Sequence, residues 1–167
     1  MGLFRRTPEQ RAAKEERRRQ KEEAAAEKQR RWEADQAARR LHQERLVKAA
    51  GVSSANLVCH RDTWAFLEAE CHFVGKFQLP PPGEGSLIKV PLSGPNLVRA
   101  LTNMKALRDT PGRYVGDRAL ATRVYNAVAE IVDGVDPSAK SGTPVPDIVL
   151  DDKIGTVEAV REDDARD

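Results

Sequence analysis

The chain is poor in aromatic side chains, in cysteine and in long apolar runs. Phe, Trp and Tyr together make up 5% of its 167 residues, whereas 32% are charged. So little bulky apolar material does not fill a core for the whole length, and much of the chain is expected to stand in water. What remains is enough for one domain of ordinary size. Two cysteines, Cys59 and Cys71, exclude a disulfide framework. No apolar segment follows the first charges, so no secretory leader is read, and the expectation is a cytoplasmic protein with reduced thiols. Nothing approaches the ~20 consecutive apolar residues of a membrane-spanning helix, so membrane contact is not expected. Met1-Gly2 does not open a myristoylation signal, because Arg6 occupies the place of the required Ser or Thr.

Catalytic signatures are also missing. There is no G-x-S-x-G, no Walker loop and no Rossmann glycine pattern. The glycines of the Pro80–Ser86 run lead into a strand-like segment rather than a helix, so they do not form a phosphate cradle. The nearest approach to chemistry is the pair Cys59-His60 and Cys71-His72. Zinc sites space their ligands as C-x2-4-C or H-x3-5-H, and here the ligand types are adjacent instead. A cysteine nucleophile needs a base in reach and a lowered pKa, which adjacency in sequence does not supply. Catalytic residues, metal and cofactor are therefore expected to be absent. Cys71 is read as a small core residue, and His60 and His72 as surface or rim positions.

Glycine and proline are absent between Glu9 and Ala50, where the sequence is mainly Ala, Glu, Lys, Arg and Gln. These are the strongest helix formers. Thr7 suits an N-cap, Pro8 the first helical position and Gly51 the stop. Glu15–Arg19, Glu27–Arg31, Asp35–Arg39 and Glu44–Lys48 form favourable i,i+4 pairs. Before Arg31 the only apolar residues of this helix are alanines, so a coiled-coil seam is missing there. It improves through Ala34, Ala37, Ala38, Leu41, Leu46 and Val47. Trp32, Leu41, Leu46 and Val47 are the candidate partner-docking residues, toward another protein or a second copy.

Charge is distributed unevenly. Residues 1–50 hold 15 Lys/Arg against 9 Asp/Glu, residues 51–146 hold 10 against 9, and residues 147–167 hold 3 against 8. The basic head makes Arg17, Arg18, Arg19, Lys21, Lys28, Arg30 and Arg31 candidates for nonspecific contact with nucleic-acid phosphates. Interleaved acids weaken that reading. Leu3 and Phe4 before Arg5 and Arg6 make only a marginal membrane anchor.

Three regions follow: an extended charged helix over 1–50, a small α+β domain over 51–135, and a linker with an acidic, partly disordered tail over 136–167. In the middle, Ala65, Leu67, Ala69, Cys71, Phe73, Gly75, Phe77 and Leu79 alternate with a more polar set. This period of two predicts a strand from about Leu67 to Leu79. On a helix Glu70 would fall inside the apolar arc, although Asp62-Thr63 suits a helix start. Leu87–Leu92 predicts a second strand, so that the Pro/Gly loop closes a β-hairpin. Ser93 and Pro95 open a helix carrying Leu97, Leu101, Met104 and Leu107. A second helix runs from about Asp117 to Val132. These make an αα-hairpin packed on the β-hairpin. As a helix-turn-helix the pair is weak: Arg118, Arg123, Tyr125 and Asn126 are accompanied by Asp117 and Glu130. Asp147–Leu150 adds one short strand. The resulting expectation is a non-enzymatic interaction or adaptor module with a helical arm, the alternative being a nucleic-acid-associated protein.

Overall fold

The computed structural model describes residues 8–79, 87–139 and 143–150. The chain divides into two compact units, Met1–Gln43 and Glu44–Asp167. Helix α1, Pro8–Ala50, runs through the division. In the first unit it is a polar helix: Gln36 and His42 are half-buried, and the other side chains described there are exposed. Ion pairs decorate it, Arg18–Glu22 at 3.2 Å, Glu27–Arg31, and Asp35–Arg39 at 2.9 Å. Such exposed pairs add only tenths of a kcal/mol each, about 0.3–0.5. The proposed cap at Thr7 and the Leu3–Arg6 segment lie outside the described residues.

The second unit starts with the last turns of α1. Gly51 and Val52 donate to the carbonyls of Lys48 and Ala49, both at 3.1 Å, which tightens the helix end. Next come strand β1 (Ala55–His60), helix α2 (Arg61–Cys71), strand β2 (Leu87–Leu92), helices α3 (Gly94–Asp109) and α4 (Val115–Asp133), and the two-residue strand β3 (Ile148–Val149). The sheet order is β2-β1-β3, antiparallel between β1 and β2 and parallel between β1 and β3. Ala55, Leu57, Cys59, Ile88, Val90, Leu92 and Ile148 point into the core, where α3 and α4 supply Leu97, Leu101, Met104, Val124, Val128 and Val132. The architecture is α+β, a long charged helix followed by a small unit in which helices cover one sheet face.

Two elements correct the reading by periodicity. Residues 67–79 do not form a strand: Arg61–Cys71 is helical and residues 72–79 are irregular. The buried positions are Trp64, Leu67 and Cys71, at helical spacing. Glu70, which counted against a helix, is accommodated by Arg113 at 3.5 Å. The antiparallel partner of β2 is β1, aligned so that Leu57 faces Val90 and Cys59 faces Ile88. The two strands are therefore not a hairpin closed by the Pro/Gly loop, because α2 lies in their connection. That loop, residues 80–86, is outside the described residues.

Main-chain capture by α3 holds the irregular segment. Buried Asn96 accepts from Val74 N at 2.9 Å and donates to Val74 O at 3.0 Å. One turn on, Arg99 donates to His72 O at 2.9 Å, and Asn103 donates to Cys71 O at 3.2 Å. Spacings of three and four residues put the three side chains on one helix face. They satisfy carbonyls that the end of α2 leaves open. His72 closes α2 in the left-handed region, φ 50°. Trp64, 1% exposed, then stacks on Phe73 at 5.4 Å and meets the edge of Phe77 at 5.0 Å.

The last turns of α1 are tied to α4. Arg45 grips the Asp133 carboxylate with Nε at 2.9 Å and Nη2 at 2.6 Å, and Lys48 donates to Asp133 O at 3.0 Å. Tyr125 lies beneath, with the Arg108 guanidinium 4.6 Å from its ring centre. The hydrogen bond from Arg45 holds the Asp133 carboxyl below its ordinary range, against partial burial. A depressed folded-state pKa gives stability that is present above the unfolded value of about 3.9 and is lost as pH falls through the folded value. Asp133→Asn is therefore expected to lower stability at pH 7. The Asp133 side chain is 40% exposed, so screening limits the loss to about 0.5–1 kcal/mol. The gap between variant and parent should narrow below pH 4 in urea melts at the two pH values.

Candidate functional site

Gly134 ends α4, its N–H donating to Glu130 O at 3.3 Å. Pro137, Pro144 and Pro146 keep the following residues out of regular structure. A local turn orders the first part: the Asp136 carboxylate accepts from Ser138 N at 2.8 Å and Ser138 Oγ at 2.7 Å. The segment is fixed again at Asp147, which accepts from Asn56 at 2.9 Å and Lys89 at 2.5 Å across the open sheet face. Between these anchors and the end of α1 lies a cleft of about 900 Å³. Val47, Val52, Ile131, Val135, Pro144 and Val145 supply its apolar walls. Lys48, Glu130 and Asp136 supply charge. Pockets of ~300–1,000 Å³ with apolar walls and a few polar groups are the usual form of binding sites. Val47 is 68% exposed, so one apolar side chain of the cleft wall stands open to solvent beside the other apolar lining residues.

The sequence-based candidates are distributed as follows. Val47 lines the cleft. Leu46 is half-buried and packs against the core, so it serves the fold of the second unit. Trp32 and Leu41, in the first unit, are 58% and 44% exposed. Arg17, Arg18, Arg19, Lys21, Lys28, Arg30 and Arg31 are all exposed on α1, with Arg18 and Arg31 in ion pairs with Glu22 and Glu27. Tyr125, considered as an outward base-reading group, is buried instead. The cleft residues of 131–145 were missed because Pro, Gly and Ser mark that stretch as a linker. The available signal was the alternation of valine and proline at Pro144-Val145-Pro146.

Cys59 and Cys71 are both buried, and His60 and His72 are exposed. Burial, with a smaller push from Glu70, raises the Cys71 thiol to about 12. It is therefore protonated at neutral pH and a poor nucleophile. Among the described residues no three His, Cys, Asp or Glu side chains are grouped to hold a metal, and no helix is long and apolar enough to cross a membrane. No protein-family model, curated protein or solved structure matches the chain.

Proposed function

We propose that the chain is a non-enzymatic protein-interaction module of the adaptor kind, working in a reducing, cytoplasmic setting, with its charged helix as an arm. One observation carries the reading: an apolar cleft on the second unit, with Val47 exposed on its wall. A partner that covered this valine together with the apolar walls would gain free energy by removing them from water. A photo-cross-linking residue at position 47 is expected to give a discrete protein adduct in cell extract. The same probe at exposed Ala119 on α4 should not. Equal labelling at the two positions, or none at 47, would refute the reading.

The exposed cations of α1 support a second reading, in which Arg17, Arg19, Lys21, Lys28 and Arg30 contact nucleic-acid phosphates. Arg18 and Arg31 are drawn off by acids. This alternative requires steeply salt-dependent duplex binding that falls uniformly when Arg17, Arg18, Arg19 and Lys21 are changed to Gln. The protein-interaction reading expects affinity for mixed-sequence DNA to be weak and to change little with that substitution.

A further inference from the structure

Among the described residues, the most exposed large apolar side chains lie at the far end of α4 from the cleft. Tyr114 and Val115 are each 75% exposed. They stand at the tip of the α3–α4 hairpin, after the Pro111-Gly112 turn, where Gly112 has φ +83° and suits the second central position of a type II turn. The Tyr114 ring lies over Gly116; a Cβ there would be 2.5 Å from it. The ring is thus seated on a helix start rather than on a loose loop. Cations flank it. Arg113 reaches Glu70 at 3.5 Å yet keeps a half-exposed side chain, and Arg118 is exposed with Nε donating to Arg108 O at 3.0 Å.

The cleft at the other end of α4 has the opposite character. Its walls are concave and apolar, and Glu130 and Asp136 are exposed on it. Its one cation among the described residues, Lys48, donates to the Asp133 carbonyl. Fifteen residue steps along α4, from Val115 to Glu130, separate tip from cleft, about 22 Å at ~1.5 Å per residue. A tip therefore cannot fill the cleft of its own chain.

We propose that the cleft receives the Tyr114-Val115 tip of a second copy, with Arg113 and Arg118 of the incoming copy facing Glu130 and Asp136. This deepens the protein-interaction reading and rests on it. The contact is heterologous: each copy uses its tip toward one neighbour and its cleft toward another. Assembly therefore continues beyond a dimer unless a ring closes.

Sedimentation of the full chain over a concentration series tests this. The mass is expected to rise past that of a dimer. Two variants should each weaken association at least tenfold: a Tyr114→Ala, Val115→Ser double substitution, and Val47→Lys. All three positions are exposed, and circular dichroism confirms the fold of each variant. Mixed in equal amounts, the variants are expected to form one-to-one dimers and nothing larger, because one intact tip and one intact cleft remain. A chain that stays monomeric to millimolar concentration overturns the proposal. So does self-association that survives both variants, or a mixture that does not pair. If the chain is monomeric but a probe at position 47 captures a different protein, the second copy is excluded while the docking reading stands.

Discussion

Gly94→Ala is expected to cost the second unit about 3 kcal/mol, the upper end of what overpacking usually costs. A Cβ at this position would lie 2.6 Å from Val52 O and 2.8 Å from both Ala49 O and Ala50 O. All three obstacles are main-chain oxygens in the turn that ends α1, so no side chain can rotate away. Relief requires the start of α3 to separate from the end of α1. That displacement spoils the packing of Ala49 and Val52, which are 0% and 6% exposed. For a unit of this size the melting temperature should fall by about 15 °C. Because Val47 and Val52 line the cleft, cross-linking from position 47 should weaken in the same variant. An unchanged melting temperature would mean that the two segments approach less closely than described.

Trp64→Ala is expected to cost about 3–5 kcal/mol, a large part of the ~5–15 kcal/mol that holds a domain folded. The indole is the largest fully buried side chain of the core. It supports Phe73 and Phe77, which pack on it from the irregular segment after α2. Its Nε1 has no hydrogen-bond partner among the described residues. Trp64→Phe therefore removes ring volume without breaking a hydrogen bond, and should lose much less than the alanine variant. Urea unfolding of both variants decides the point. Equal losses would show that a phenyl ring cannot replace the indole in this packing.

Legibility in sequence followed the range of the forces involved. Helices α1, α3 and α4 were readable because each repeats a single rule many times: uncompensated helix formers in α1, and apolar stripes such as Leu97–Leu101–Met104 in α3. Strand β2 was readable from Ile88, Val90 and Leu92. The opposite happened at residues 55–79. Here Ala65, Leu67, Ala69 and Cys71 alternate like a strand, yet Trp64, Leu67 and Cys71 bury as a helix. The deciding contacts come from elsewhere: Asn96 accepts from Val74 N, Arg99 and Asn103 donate to the carbonyls of His72 and Cys71, and Arg113 pairs with the carboxylate of Glu70. β1 escaped notice for a related reason: six residues give too short a pattern to be told from a loop without their partner at 87–92. The cleft was the least legible feature. Its walls come from the end of α1, the end of α4 and residues 143–146, which only the fold brings together.

The capture of residues 71–74 by α3 has an evolutionary consequence. Asn96, Arg99 and Asn103 touch peptide groups that every residue other than proline carries, so the segment is held whatever side chains it bears. Drift at exposed Val74 should be nearly free, and a change at Asn96 should rarely survive. Buried Cys71, Phe73 stacked on Trp64, His72 at φ 50° and Gly75 at φ +109° are the exceptions on the held segment. Mutational constraint on the backbone of this segment therefore sits on the helix that does the holding, and the exposed Val74 position is left open to sequence change.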